Sequence, residues 1–310
     1  MCGRRGSAPL GGGSDSLRYN LGAMKLFACG LVLLLPAAAA WGQEQPPAAT
    51  ASPSAPPALP VAPVLENHGK PMVVPFQCTD DDIQWAGMTC SPDDPCPIYL
   101  ELTTLEARGD RIITAGNLHS AAVTLYTAVL VSDDGGRTWT LAHKGIRGAG
   151  LDYVEFLDSD TAWISGLTLV PLPQDPFLLL TTDGGKTWRQ RPVSNEYHPG
   201  GIQQFFFSNR TDGALIVDRG PAETGDRYER FQSADGGETW TIQEENTKPL
   251  KLKETEIPQT DWRLRVDSGT QSYRVEHREG ARWVDVAAFA VKVGGCRPGE
   301  GKAAEAGAGR

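Results

Sequence analysis

Ser132-Asp133-Asp134-Gly135-Gly136-Arg137-Thr138-Trp139 recurs twice more along the chain. The second copy is Thr181-Thr182-Asp183-Gly184-Gly185-Lys186-Thr187-Trp188 and the third is Ser233-Ala234-Asp235-Gly236-Gly237-Glu238-Thr239-Trp240. The central aspartates lie 49 and then 52 residues apart. Asp-Gly between alternating apolar runs is a hairpin signal, because the tight turn needs the positive φ that glycine adopts cheaply. The aspartate carboxylate accepts backbone N–H groups within the turn, and the Ser or Thr hydroxyl adds a further bond. The tryptophan that follows opens the returning strand with a large ring to bury.

Working outward, each octet sits between the third and fourth of four short apolar strands. Before the first octet these are 98–105, 111–115 and 125–131, with 139–142 after it, and the order repeats around the other two. Glu279-Gly280-Ala281-Arg282-Trp283 reads as a decayed fourth copy that has lost its aspartate. Four-stranded units repeating at about 50 residues stack radially into a β-propeller. The expected fold is all-β, a small propeller of about four, or five, four-stranded blades.

The three octets resemble the Asp-box, or bacterial-neuraminidase repeat, of sialidases, sortilin-type receptors and photosystem II assembly factors. The resemblance covers about residues 98–293. It implies structural roles for Asp134, Trp139, Asp183, Trp188, Asp235 and Trp240, on the face away from the ligand. The chain departs from the family in size, because residues 67–297 suffice for only four or five blades. A disulfide from Cys296 back to the 78–96 region would clasp so small a ring.

The resemblance also raises catalysis. Sialidases use an arginine triad, a tyrosine nucleophile supported by a glutamate, and an aspartate acid/base. Bacterial members carry a Phe/Tyr-Arg-Ile-Pro tetrad that this chain lacks; Trp262-Arg263-Leu264-Arg265 is neither that motif nor in the right blade. Gly184-Gly185-Lys186-Thr187 has Leu180 where a phosphate loop requires its first glycine. The five histidines, His68, His119, His143, His198 and His277, show no zinc-hydrolase spacing. Asp80-Asp81-Asp82 and Asp93-Asp94 lack an EF-hand pattern and read as solvated acidic loops. Asn209-Arg210-Thr211 is a glycosylation sequon, meaningful in a eukaryotic source. No catalytic residue, metal or cofactor is implied. The expected function is non-catalytic binding of a protein or glycan, with a sialidase-type glycoside hydrolase as the alternative.

Long connections at 143–152, 168–176, 191–201, 218–227 and 243–259 fall on the face opposite the octets, where recognition residues concentrate on a rigid scaffold. They offer His143, Arg147, Tyr197, His198 and Arg219 as the candidate binding face.

Charge and composition set the compartment. The 310 residues carry a formal charge of −9, with 35 Gly and 23 Pro. An acidic balance argues against a nucleic-acid binder, which needs cations to displace phosphate counterions. Residues 1–42 hold Arg4, Arg5, Arg18 and Lys25 against Asp15, so the leader is basic and the remainder more acidic than the whole. Leu26–Ala40 is an apolar run of 15 residues, too short to span a bilayer and broken by Pro36. A basic start, a short apolar core and small residues after it make a signal peptide, with cleavage between Ala38 and Gln43. Met24-Lys25 reads as the more natural start. Residues 43–66, rich in Pro and Ala, read as an extended linker, 67–297 as the propeller and 298–310 as a disordered tail. The expected location is secreted or periplasmic, with no transmembrane segment in the mature chain. Cys78, Cys90, Cys96 and Cys296 then form two disulfides by default, in any of three pairings.

Overall fold

A computed structural model describes residues 62–143, 145–169, 175–221, 225, 227–252 and 261–299. The leader, the 43–61 stretch and residues 300–310 lie outside the described residues, as do the expectations that fall on them. Seventeen strands and one short helix follow one another as β1 (Val64–Glu66), α1 (Asp80–Trp85), β2 (Cys96–Arg108), β3 (Arg111–His119), β4 (Thr124–Ser132) and β5 (Thr138–Leu141). Next come β6 (Ala149–Phe156), β7 (Ala162–Thr168), β8 (Pro176–Thr181) and β9 (Arg189–Pro192). A third set is β10 (Gly201–Phe207), β11 (Gly213–Asp218), β12 (Tyr228–Ser233) and β13 (Thr241–Asn246). The last is β14 (Trp262–Asp267), β15 (Ser272–Glu279), β16 (Arg282–Ala290) and β17 (Lys292–Cys296).

These strands form four antiparallel sheets, the blades of a small propeller. Blade 1 is β2 to β5 flanked by β1 and β17, blade 2 is β6 to β9, blade 3 is β10 to β13, and blade 4 is β14 to β16. The period-2 pattern of each strand gives every blade an apolar face for its neighbour. Ile113, Val129, Leu151, Ile164 and Phe177 fill the space between blades 1 and 2. Between blades 2 and 3, Trp163 stacks flat on Phe207 with centroids 3.8 Å apart. Between blades 4 and 1, Trp139 meets Phe289 edge-on at 5.1 Å, and Val275, Ala287, Leu100 and Leu130 join them.

The octets adopt one geometry. Asp134, Asp183 and Asp235 each accept the N–H of the box threonine at 2.9 Å and its hydroxyl at 2.6–2.7 Å. The Ser132, Thr181 and Ser233 hydroxyls accept the N–H of the second glycine at 2.8–2.9 Å. Burial pushes the Asp134 pKa up, but those bonds together outweigh it, and they hold Asp134 and Asp235 at about 2. Each second glycine has φ between 86° and 90°, and a Cβ on Gly136 would lie 2.4 Å from Val286 of blade 4. Glycine there satisfies both the turn and the close approach of the neighbouring blade.

The decayed fourth copy is a misreading. Glu279–Trp283 forms the β15–β16 hairpin, the second-to-third connection of blade 4, whereas the boxes join third to fourth strands. The outer edge of the three-stranded blade 4 is met from the other end of the chain by one isolated bridge: Met72 pairs with Phe289 in parallel, donating its N–H to Ala288 O at 2.8 Å and accepting that of Ala290. Just before it, β1 pairs with β5 on the outer edge of blade 1, Leu65 opposite Trp139. Val64–Glu66 is therefore a strand of blade 1 where the sequence reads as linker, because a three-residue edge strand leaves no periodic pattern. Asn67 Nδ2 donates to Gly136 O and to Val286 O, stitching blade 1 to blade 4.

At the other terminus β17 pairs with β2, Cys296 opposite Cys96. Disulfides join Cys78 to Cys296 and Cys90 to Cys96. The expected clasp from Cys296 thus runs to Cys78, one of the three pairings the spacing allowed. Asp80-Asp81-Asp82 is not a loop: Thr79 caps α1 through a capping box with Asp82, and Asp82 is buried.

Candidate functional site

Successive strands run in opposite directions, so the turns alternate between two faces of the propeller. Gly135, Gly184 and Gly236 donate their N–H groups to Asp110, Asp160 and Thr211 at 2.8–2.9 Å, which puts the boxes and the first-to-second-strand turns on one face. The blade-to-blade connections and the second-to-third-strand turns emerge on the other.

On that loop face the five candidate residues separate into distinct places. Arg147, in the connection from blade 1 to blade 2, forms ion pairs with Asp81 at 2.6 Å and Asp82 at 2.7 Å. It also donates to the Tyr126 hydroxyl at 3.0 Å and lies over the Trp85 ring, 5.5 Å from its centroid. Burial pushes the Asp82 pKa up, but hydrogen bonds from Tyr126 and Thr79 and the Arg147 charge bring it below the ordinary carboxylate range. This cluster pins α1 onto blade 1. His143 is half-buried nearby in sequence, its Nδ1 without a partner among the described residues, and burial lowers its pKa.

His198 and Arg219 come together around a carboxylate that the sequence reading missed. Glu229, 2% exposed at the start of β12, binds His198 Nε2 through one oxygen and Arg219 at 2.7 Å through the other. Arg219 Nε also donates to Pro199 O at 3.0 Å, and Asp175 accepts the His198 N–H at 3.2 Å. A buried carboxylate without such partners is costly to the fold. Beside this cluster Arg227 forms an ion pair with Asp218, Nε to oxygen 2.6 Å, and Gln203 donates to the same carboxylate at 2.9 Å. Tyr197 projects into solvent, 68% exposed, next to His198.

Blade 4 follows the same rule. Arg263 and Arg265 share the buried Glu276 at 2.6 and 2.8 Å, and Arg263 covers the Trp283 ring at 4.1 Å. Each of Arg147, Arg219, Arg227 and Arg263 thus spends its guanidinium on the protein's own carboxylates.

Two further carboxylates line the inner strands. Glu106 on β2 accepts the Phe156 N–H of blade 2 at 3.0 Å, and Glu155 on β6 accepts that of Phe207 in blade 3. Burial raises Glu106 to about 7, with these bonds and Arg108 opposing it. Burial together with the neighbouring Glu106 charge raises Glu155 to about 8. Glu106 and Glu155 stand 49 residues apart, like Asp134 and Asp183, a signal that extending the repeat alignment beyond the octets reveals.

Among the described residues no helix is long and apolar enough to cross a membrane, and no group of His, Cys, Asp and Glu is placed to hold a metal ion. No curated protein matches the chain. Among solved structures, "YCF48 bound to D1 peptide" is similar at 19% identity and a TM-score of 0.34, over 64% of this chain and 55% of that one. The GH74 enzyme of Niastella koreensis is similar at 18% identity and a TM-score of 0.31, over 63% of this chain and 28% of that one. The family model of the BNR/Asp-box repeat matches residues 130–141. That segment contains the first octet, and the aspartate, hydroxyl and glycine bonds of that octet recur in the other two: the chain carries Asp-box turns on a β-propeller fold.

Proposed function

We propose that this chain is an exported, non-catalytic propeller that holds a protein or glycan partner on the loop face opposite its Asp boxes. The observation that carries this reading is the pairing of four loop-face arginines with the protein's own carboxylates. A sialidase must keep arginines open for the substrate carboxylate, but Arg147, Arg219, Arg227 and Arg263 are each committed to Asp or Glu at 2.6–2.7 Å. Paired charges around an exposed tyrosine make a rigid polar surface, the kind that recognises a partner without turning it over. Two disulfides support export to an oxidising compartment. In this reading residues 1–42 are the export leader, 43–63 lead into the propeller and 298–310 trail from it.

The test is capture of partners from envelope or extracellular extracts by the wild-type protein and by Tyr197→Ala with Arg219→Ala, alongside a fluorogenic sialoside assay. Capture lost in the double variant, with no turnover by either protein, is the expected result. Sialoside turnover that the Arg219 substitution abolishes would sink the reading.

A further inference from the structure

The three boxes differ in what covers their tryptophans. Trp139 is fully buried and donates its indole N–H to Gly136 O at 3.1 Å. Trp188 is 9% exposed and bonds Gly185 O at 2.9 Å. Trp240 is only half-buried, and its buried indole nitrogen has no partner among the described residues. It faces a cleft of about 470 Å3 between blades 2 and 3, walled on the blade 3 side by Thr239, Trp240, Thr241 and Ile242 and on the blade 2 side by Val193.

The equivalent place beside Trp139 is filled by the chain itself. There β1 lies on the outer edge of β5, with Val64, Leu65 and Glu66 opposite Thr140, Trp139 and Thr138. Thr138-Trp139-Thr140 and Thr239-Trp240-Thr241 are the same positions of the repeat. The blade 3 wall of the cleft is therefore the edge on which β1 sits in blade 1, here left uncovered by the described residues. β13 pairs only with β12 among the described residues. Ile242 on that edge is 40% exposed.

We infer that this edge is a docking site for an extended peptide of a partner protein, added antiparallel to β13 with an aliphatic side chain seated at Trp240 as Leu65 is at Trp139. Strand addition supplies main-chain hydrogen bonds, and the pocket supplies selectivity. The register of β1 fixes the direction: residues before the anchor run toward the C-terminal end of β13. There Glu244 and Glu245 are both exposed, so basic residues four or five places before the anchor complete the match. Arg191 and Glu238, paired at 2.6 Å across the blades, close the box end of the cleft. The site lies on the propeller's flank and meets the loop face at Ser194, Asn195 and His198.

The probe is the synthetic peptide Lys-Lys-Thr-Thr-Val-Leu-Glu-Asn, titrated into the disulfide-bonded protein while the Trp240 indole N–H is followed by NMR. The expected result is a saturable shift of that resonance and slowed exchange of the β13 amides. Ile242→Asp in the protein, or Asp in place of the peptide's Leu, is expected to weaken binding about tenfold or more, and Glu244→Lys with Glu245→Lys to weaken it as well. Ile242 is exposed, so its substitution leaves the fold intact, and an unchanged amide spectrum elsewhere verifies this. No binding at about 1 mM peptide, binding that leaves Trp240 and β13 unmoved, or equal binding of the Asp-anchored peptide would overturn the assignment. A protein dimer that the peptide dissociates would also overturn it, by making the occupant a second copy.

Discussion

Removing the Cys78–Cys296 disulfide by Cys78→Ser with Cys296→Ser should destabilise the propeller far more than removing Cys90–Cys96 in the same way. The two bridges close loops of very different length, with sequence separations of 218 and 6. Loop-closure entropy gives about 5 kcal/mol for the long loop and about 2 kcal/mol for the short one, a difference of about 3 kcal/mol. For a domain of this size that is a further fall in Tm of about 6–12 °C. The folded state points the same way. Cys78 follows the segment that completes blades 1 and 4, and Cys296 ends β17, so the bridge ties both ends of the chain to one junction. Urea unfolding of the two double variants, each against wild type, measures the difference. The variant without the long bridge should also show a steeper denaturant dependence, because its unfolded chain exposes more surface. Equal losses in the two variants would refute the argument and place the stability of the junction in its strand pairing alone.

The inner carboxylates give a pH prediction. Their pKa values rise from 4.5 in an ordinary carboxyl to about 7 at Glu106 and about 8 at Glu155. The folded state holds these protons more tightly, so their contribution to stability is full below pH 4.5 and is lost as the pH climbs toward 8. Glu106→Gln with Glu155→Gln should therefore stabilise the fold at pH 8.5, by several kcal/mol for the pair, and change little at pH 4. An equal difference at both pH values would contradict this. The box aspartates act in the opposite sense: with Asp134 and Asp235 held near 2, their contribution is present above about pH 4 and is lost as the pH falls toward 2. Trp139→Ala, at a fully buried site, should cost about 3–5 kcal/mol in chemical denaturation, and Trp240→Ala clearly less. Glu229→Ala leaves Arg219 and His198 without their shared carboxylate and should cost about 3 kcal/mol or more, whereas Tyr197→Ala should leave the melting curve unchanged.

The three boxes were legible because the bonds of each central aspartate lie within eight residues. Asp134 finds its partners at Ser132, Arg137 and Thr138, so the turn reads directly from the sequence. Blade 4 was not legible in the same way. Its outer edge is bridged by Met72, more than 200 residues before Phe289, and no turn chemistry marks a segment that arrives from elsewhere. The loop face was legible as a face but hardly as residues. His198 and Arg219 gain their meaning from Glu229, 31 and 10 positions away, and Arg147 from Asp82, 65 positions away. Nothing local sets Glu229 apart from an ordinary strand glutamate. A capping box at Thr79, by contrast, was readable but hidden inside an acidic triplet that looked like solvated loop.

The stitch made by β1, Asn67 and Met72 also has a consequence for how the chain acquires its shape during synthesis. Residues 64–72 leave the ribosome before any blade exists, yet Met72 needs β16 and Asn67 needs Val286. The first segment made is therefore among the last to be placed. It must wait while blades 1 to 3 assemble from pairings close in sequence, and such long-range closure is slow. During that wait the outer edge of β5 stands bare, an invitation to a neighbouring nascent chain. Export in an unfolded state would postpone the hazard until the whole chain, and the oxidant for Cys78 and Cys296, are in the same place.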